Sequence, residues 1–340
     1  MRHFLTTTDF TQKELLHIIK TAMKMKKSGW KKTLEGQILS MFFFNPSLRT
    51  RLSFIAAMDK LGGLAVDLSS GSGGFPLEFE ENAIMDKGTI EHVKEAIPVV
   101  SRMSNAIAVR ASDLVTSSQE SVKVPSWNEV KKDTVIQNFA KYSTVPIINM
   151  ESNVYHPCQG LGDAMTIVEK FGKPKGKKYV LSWAYHPKAL PMATPNSQFL
   201  GACDLGMDVV ITYPKGWDLD PEIVEMANNR AQQAGGSLKV TNNQAEALKN
   251  ADVVVAKSWG ALKFYGNWEK EKIIRNKLKS WIMDGSKMKL TNNAYFMHCL
   301  PVRRNVEVAD EVLDSPTSIV IDEAENRMWI QMAILDYLLS

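Results

Sequence analysis

Hydroxyl and guanidinium groups lie close together early in the sequence, in the S-L-R-T-R run at residues 47–51. The run follows an apolar segment, residues 38–44, that is predicted to form a buried strand, and Asn45-Pro46 separates the two. Apolar residues between Leu48 and Met58 recur at helical spacing, so a helix is predicted to begin here. Because the N-terminus of a helix presents free N–H groups and a positive dipole end, we expect an anion, most naturally a phosphate group, to bind at this turn.

A plainer interpretation of the same run is that Ser47 only caps the helix, while Arg49 and Arg51 lie in solvent. The position directly after a strand favours the phosphate site, and the run has none of the glycine-rich signatures of nucleotide-binding loops.

Further polar residues follow two other predicted strands. Arg110 ends the apolar strand 105–110, and both Glu151 and the H-P-C-Q run at residues 156–159 come after a strand at 145–150. Since ligands gather at the carboxyl ends of strands in a doubly wound sheet, Arg110 is expected to contact a ligand. A histidine before a proline is commonly only a capped turn, so the H-P-C-Q run taken alone supports either interpretation.

The alternation of strands and helices predicts an α/β fold with two doubly wound parallel-sheet domains, because 340 residues are too many for one ordinary core. The first domain is expected to cover residues 1–150 and the second 151–322. A proline-rich segment at residues 185–191, with Pro195, is interpreted as a stiff, extended linker. Residues 113–133 are expected to lie on the surface.

The composition excludes several classes of function. A net charge of +4 is small for this length, and no basic tract with interleaved aromatic residues is present, so nucleic acid is not an expected partner. No apolar run is long enough for a membrane span and no signal core is visible, so the expected location is the cytoplasm. The histidines and the three cysteines lack metal-ligand spacing, and neither a metal site nor a disulfide framework is predicted.

Taken in order along the chain, these motifs resemble those of the transcarbamylases. The motifs that match are the S-L-R-T-R loop, the strand-end arginine, the H-P-C-Q turn and an H-C-L-P turn at residues 298–301. The resemblance runs from about Phe4 to the C-terminus. The resemblance implies a transferase that needs neither metal nor organic cofactor. It implies that carbamoyl phosphate is bound by Ser47, Leu48, Arg49, Thr50, Phe75, Arg110, His156, Gln159 and Arg327.

The H-C-L-P turn has two interpretations. His298 and Cys299 could form a nucleophilic pair, but sequence neighbours do not by themselves make a catalytic dyad. The resemblance implies instead that backbone carbonyls of Cys299 and Leu300 orient the attacking amine and the carbamoyl nitrogen. It also implies that the helix at residues 323–340 packs back on the first domain, the carbamoyl-phosphate-binding domain.

The acceptor is suggested by residues 256–262, which read A-K-S-W-G-A-L. Ordinary ornithine transcarbamylases have an aspartate and an S-M-G loop here to hold a free α-ammonium group, whereas Lys257 would repel that group and pair with an α-carboxylate. This loop resembles that of the N-acetylornithine and N-succinylornithine transcarbamylases, which implies a homotrimer with sites shared between subunits, a knotted second domain and a place in arginine biosynthesis. Acylornithine would be bound by Glu151, Lys257, Leu300, Ile90, His186 and Arg303.

Ile90 favours the succinyl compound, because the acetylornithine members carry a glutamate at the matching position. That glutamate would repel a succinyl carboxylate by about 4 kcal/mol at roughly 4 Å and an effective dielectric constant of about 20. The aromatic segment at residues 257–269 is closer to the acetyl type, so N-acetylornithine remains the alternative acceptor. Phe75 stands where acetylornithine members have tryptophan, and Glu307 where they have a lysine that can be carboxylated. A non-catalytic anion-binding scaffold is the alternative of another class.

Overall fold

The computed structural model describes residues 1–68, 76–86, 88–112 and 126–340. It divides into two compact units. The first comprises Met1–Asp113, Asn128–Cys158 and Arg327–Ser340, and the second Leu114–Trp127 and Gln159–Asn326. The predicted α/β class with parallel sheets is confirmed.

The strands of the described residues are, in chain order, β1 (Ile38–Phe43), β2 (Leu64–Asp67), β3 (Leu77–Glu78), β4 (Glu91–His92), β5 (Ala106–Arg110), β6 (Ile147–Glu151), β7 (Lys178–Trp183), β8 (Asp208–Thr212), β9 (Ser237–Thr241), β10 (Val253–Lys257) and β11 (Tyr295–Met297). The α-helices are α1 (Gln12–Ser28), α2 (Leu48–Leu61), α3 (Val93–Met103), α4 (Trp127–Val130), α5 (Thr134–Tyr142), α6 (Pro157–Phe171), α7 (Ala193–Asp204), α8 (Pro221–Ala234), α9 (Gln244–Leu248), α10 (Trp268–Arg275), α11 (Gly285–Met288), α12 (Asp310–Leu313) and α13 (Val320–Leu339).

The first unit is built on a parallel sheet with strand order β2-β1-β5-β6. Strand β1 is buried from Leu39 onward, as expected for a strand covered on both faces. In the sheet register Phe43 pairs with Arg110, and Arg110 pairs with Glu151. The carboxyl ends of β1, β5 and β6 therefore lie side by side at one edge of the sheet.

The second unit is built on a parallel sheet with strand order β11-β10-β7-β8-β9. Its central strands are buried, and Trp183 packs edge-on against Trp217 with ring centroids 5.7 Å apart. Because β10 and β11 are parallel neighbours, Lys257, the last residue of β10, and His298, the first residue after β11, lie at the carboxyl ends of adjacent strands. None of the helices in the described parts of the chain is long and apolar enough to cross a membrane.

The structure corrects two expectations about the segments between strands. The proline-rich segment is not a stiff, extended linker, because Tyr185, His186 and Ala189 are buried and Pro195 lies inside α7. The segment at residues 113–133 is not all surface, because Asp133 is buried and its carboxylate accepts a hydrogen bond from Ser152. Residues 113–125 lie outside the described range, and α4 begins at residue 127.

Candidate active site

The turn from β1 to α2 has the capped geometry that the sequence predicts. Ser47 Oγ accepts a hydrogen bond from Thr50 N at 3.4 Å, which makes Ser47 the N-cap residue. Thr50 is fully buried, and its Oγ1 accepts a hydrogen bond of 2.6 Å from Arg327 Nη2. A residue from the far end of the chain thereby brings its guanidinium group to the N-terminus of α2, and its role in binding phosphate stays a prediction.

Arg51 does not join this set. Its guanidinium pairs with the Asp67 carboxylate at the end of β2 and lies 4.5 Å above the centre of the Phe43 ring. Its charge is therefore neutralised by the protein, and the expectation that both arginines of the S-L-R-T-R run face one anion is wrong for Arg51. Arg49, the other arginine of the run, is half-buried.

Arg110 lies at the carboxyl edge of the first unit's sheet, where its guanidinium pairs with the Glu151 carboxylate of the neighbouring strand. His156 Nε2 lies 3.7 Å from Glu151 Oε2. Glu151 is predicted as an acceptor-binding residue, yet in this unit it contacts two residues predicted to bind carbamoyl phosphate. An anion that binds Arg110 must therefore compete with Glu151 for the same guanidinium group.

In the second unit, His298 organises the turn after β11. Its backbone N–H donates to Glu323 Oε2 at 2.8 Å, and its Nδ1 accepts a hydrogen bond of 3.0 Å from Leu300 N. The turn includes Leu300 with a φ of +52°, a conformation uncommon for residues other than glycine. These bonds hold the backbone of residues 298–300 in one conformation, which suits a turn that presents carbonyl oxygens to a ligand.

The alternative of a Cys-His nucleophile is not supported by the geometry or the chemistry of this turn. Burial raises the pKa of the Cys299 thiol to about 12, so the thiol stays protonated near neutral pH. His298 uses Nδ1 to hold Leu300 N, and its Nε2 lies 3.9 Å from Glu307 Oε1. The burial of the thiol and the contacts of His298 therefore argue against a nucleophilic role for the Cys299 side chain, while a role for its backbone carbonyl stays a prediction.

Glu307 is a buried carboxylate in the second unit. Burial disfavours its charged form, but the imidazole of His298 and the positive charge of Lys257 outweigh burial and lower the pKa of Glu307 to about 2. Arg303 N also donates to Glu307 Oε2 at 2.8 Å. Glu307 is thus ionised at neutral pH and helps to keep Lys257, which is 9% exposed, in its charged state.

His186 and Arg303, both predicted to bind acylornithine, contact each other. Arg303 Nε donates to His186 Nε2 at 3.0 Å, and His186 Nδ1 lies 2.8 Å from the Lys188 carbonyl oxygen. Burial lowers the pKa of His186, and the charges of Lys257 and Arg303 lower it further. His186 is therefore a neutral side chain that fixes the position of the Arg303 guanidinium group.

Gln159, in the first turn of α6, is held by two buried carboxylates that sequence analysis did not identify. Its Nε2 donates to Asp163 Oδ1 at 2.7 Å and lies 3.2 Å from Glu323 Oε1. The spacing of four residues between Gln159 and Asp163 on a predicted helix is a signal that could have found Asp163. No local signal points to Glu323, which lies 164 residues away in the sequence.

Two further predicted residues of the first unit have largely exposed side chains. Ile90 is 68% exposed, and its backbone N–H donates to the Pro76 carbonyl oxygen at 3.0 Å, directly before strand β4. Leu48 is 76% exposed at the start of α2. Phe75 lies outside the described residues.

Comparisons with known proteins cover both units. The carbamoyl-P binding domain of aspartate/ornithine carbamoyltransferase matches residues 2–169, and the Asp/Orn binding domain of the same family matches residues 192–338. An N-acetylornithine carbamoyltransferase from Xanthomonas campestris pv. campestris is 45% identical over 98% of this chain and 97% of its own length. An N-succinylornithine carbamoyltransferase from Bacteroides thetaiotaomicron is 38% identical over 92% of this chain and 89% of its own length.

Solved structures agree with these matches. Acetylornithine transcarbamylase complexed with acetylcitrulline is similar with a TM-score of 0.94 at 44% identity, over 100% of both chains. Three further similar structures are variants of N-acetyl-L-ornithine transcarbamylase in which one glutamate is replaced by alanine, proline or valine. Each is complexed with carbamyl phosphate and N-succinyl-L-norvaline. Each matches with a TM-score of 0.94 and 44% identity, over 99% of this chain and 100% of its own. The predicted resemblance is therefore confirmed, and the chain is a carbamoyltransferase that belongs to the aspartate/ornithine carbamoyltransferase family.

Proposed function

We propose that this enzyme transfers the carbamoyl group of carbamoyl phosphate to the side-chain amine of an N-acylated ornithine. The favoured acceptor is N-succinyl-L-ornithine, and the products are N-succinyl-L-citrulline and phosphate. The reaction would serve arginine biosynthesis in the cytoplasm. The domain boundaries at residues 150 and 322 belong to this proposal, with residues 1–150 and 323–340 binding carbamoyl phosphate and residues 151–322 binding the acceptor.

The phosphate group would bind at the N-terminus of α2. Ser47, Leu48 and Thr50 supply backbone and hydroxyl groups there, and Arg327 is held at the same turn by its hydrogen bond to Thr50. Arg49 and Arg110 would add the remaining positive charge, with Phe75 as a further contact. Such preorganised donors stabilise the charge that builds on the phosphate as it leaves.

The carbamoyl group would be held by His156 and Gln159, with the carbonyls of Cys299 and Leu300 directing the attacking amine. The neutral amine nitrogen forms a bond to the carbonyl carbon, the bond from carbon to the bridging oxygen breaks, and phosphate leaves with the electron pair. The amine nitrogen gives up one proton, which the departing phosphate accepts. No step of this mechanism draws on a metal or an organic cofactor.

The acceptor would bind through its two negative groups. Lys257 suits the α-carboxylate, since the ionised Glu307 carboxylate favours its charged form and a buried site of low dielectric constant strengthens the attraction between opposite charges. Arg303, fixed by His186, suits a carboxylate at the end of the acyl group. Glu151 would face the acceptor once an anion has taken over its pairing with Arg110.

The observation that carries the succinyl preference is the uncharged side chain of Ile90. Relatives of the acetyl type accommodate N-succinyl-L-norvaline when one of their glutamates is replaced by a neutral residue. An isoleucine likewise places no charge opposite a succinyl carboxylate. A second candidate, N-acetyl-L-ornithine, is favoured by a different observation, the higher identity to an N-acetylornithine carbamoyltransferase, 45% against 38%.

The test is formation of the ureido product from carbamoyl phosphate with ornithine, N-acetylornithine or N-succinylornithine as acceptor. We expect turnover with the succinyl compound, and we expect Ile90→Glu to lower kcat/KM for that compound by up to roughly 1000-fold, the equivalent of about 4 kcal/mol. Ile84→Glu is the matched control, because Ile84 is also exposed in the first unit and has no proposed role in the site. An Ile90→Glu variant with an unchanged ratio of succinyl to acetyl turnover would refute the argument, and a protein that turns over no acceptor would favour the scaffold alternative.

The proposal includes a homotrimer with sites shared between subunits. Leu48, Leu52 and Ile55 lie on one face of α2 at helical spacing, and they are 76%, 64% and 41% exposed. A stripe of large apolar side chains on a helix is typical of a surface that a partner covers. We propose that a second copy of this chain covers it.

A further inference from the structure

Two buried carboxylates determine how the side-chain amide of Gln159 is oriented. The Gln159 Nε2 atom donates to Asp163 Oδ1 at 2.7 Å and to Glu323 Oε1 at 3.2 Å. All three residues are at most 1% exposed. Carboxylate oxygens only accept hydrogen bonds, so the NH2 group must face both of them and the amide oxygen must point away.

The two carboxylates are themselves held by fixed donors. Gln198 Nε2 donates to Asp163 Oδ2 at 2.8 Å, and the backbone N–H of His298 donates to Glu323 Oε2 at 2.8 Å. Helices α6 and α7 approach closely where Gly160 faces Ser197, since a Cβ on Gly160 would lie only 2.4 Å from the Ser197 carbonyl oxygen. This crossing brings Gln198 to Asp163. The orientation of Gln159 is therefore set by the packing of the second unit and does not depend on a bound substrate.

We propose that Asp163 and Glu323 are positioning residues that make Gln159 present its amide oxygen, and not its NH2 group, to the carbamoyl group of the substrate. The inference rests on the proposed function, which assigns Gln159 to that group. The chemical consequence is that the site favours a phosphate compound that can donate a hydrogen bond to this amide oxygen. The NH2 of carbamoyl phosphate can donate to the amide oxygen, whereas acetyl phosphate, with a methyl group in the same place, cannot.

Substitution of Glu323 by glutamine tests this arrangement sharply. The new amide must turn its oxygen toward the backbone N–H of His298, because that donor cannot rotate away. Its NH2 group then faces the NH2 group of Gln159 and opposes the wild-type orientation. In the double variant Asp163→Asn/Glu323→Gln both acceptors can become donors, so Gln159 is free to turn over and present its NH2 group instead.

The measurement is the affinity of the purified enzyme for carbamoyl phosphate and for acetyl phosphate by calorimetry, together with kcat for carbamoyl transfer. We expect the wild type to prefer carbamoyl phosphate, and the variants to lose most of that preference and on the order of 100-fold in kcat. Asp204→Asn is the control, because Asp204 is a buried carboxylate of the second unit that pairs with Arg230 at 2.7 Å, outside this network. It should leave the preference and kcat unchanged.

A purely structural role for the two carboxylates would weaken binding of both phosphates equally, so a variant that keeps the wild-type ratio of affinities overturns the proposal. A wild type that binds the two phosphates equally also overturns it, whatever its turnover. A wild type that prefers carbamoyl phosphate but transfers it to no acceptor would instead count against the proposed function alone, because the affinity ratios of the variants still report on Gln159.

Discussion

Replacing Glu307 by glutamine removes a charge from the interior of the second unit. The pKa of Glu307 is lowered from its ordinary value of 4.5 to about 2, because His298, Lys257 and His186 favour the ionised form more strongly than burial opposes it. Each tenfold change in proton affinity is worth about 1.4 kcal/mol, so the ionised carboxylate stabilises the fold by about 3 kcal/mol at neutral pH. We expect Glu307→Gln to lower the free energy of unfolding by about that amount.

The pH dependence follows from the direction of the shift. A carboxylate whose pKa is lower in the folded state stabilises the fold above its unfolded pKa of 4.5, and the contribution is lost as the pH falls toward about 2. About half of it should remain near pH 3. The difference in unfolding free energy between the wild type and Glu307→Gln should therefore be constant above about pH 5 and shrink below that.

Urea unfolding followed by tryptophan fluorescence measures this difference in unfolding free energy. The signal reports on the second unit, because Trp183, Trp217 and Trp259 are fully buried there. Glu246→Gln is the control, since Glu246 is exposed and its solvent-screened pair with Lys249 should contribute little to stability. A wild-type minus Glu307→Gln difference that does not change between about pH 6 and pH 3.5 would refute the reasoning, because the charge of Glu307 would then have no part in stability.

Three further substitutions probe the proposed site and surface. Arg327→Lys removes the planar group that donates to Thr50. In steady-state kinetics it should raise the KM for carbamoyl phosphate by about 10- to 100-fold and change the KM of the acceptor less. Lys257→Met removes the proposed partner of the α-carboxylate, and should raise the KM of the acylornithine by about 10- to 100-fold while carbamoyl phosphate still binds by calorimetry. Leu52→Glu places a charge in the exposed apolar stripe of α2, and should lower the molar mass measured by light scattering toward that of the monomer.

Features set by short-range patterns were accessible from the sequence. The strand-turn-helix at residues 38–61, the strand that ends in Arg110 and the turn before Gln159 each depend on the order of apolar runs, proline and capping residues. Helical spacing alone did not determine which face of α2 is buried. Met58 packs in the core, whereas Leu52 of the same apolar repeat is largely exposed, because the surrounding sheet and the rest of the first unit determine which face is covered.

The polar partners that no local spacing connects were the part of the site that sequence analysis could not supply. Arg51 and Arg49 are equivalent in the motif, yet Arg51 pairs with Asp67, and only the register of β1 beside β2 brings that carboxylate within reach. Glu323 lies 164 residues from Gln159 in the sequence, so no local pattern links the two. A local pattern gives the types of residue in a site, whereas the tertiary fold decides which of their charges are already neutralised.

The charged side chains of the second unit also constrain which acceptor can bind, independently of Ile90. Lys257 and Arg303 both lower the pKa of His186, so both cations act on the same small region. The anion of that region, Glu307, already accepts from the backbone of Arg303 and is stabilised by His298. These two cations and this one anion leave a net charge of +1, so an acceptor with at least one carboxylate is expected here, because a charge buried without a partner is costly. N-acetylornithine and N-succinylornithine both meet that requirement, and the proposed preference between them therefore rests on Ile90.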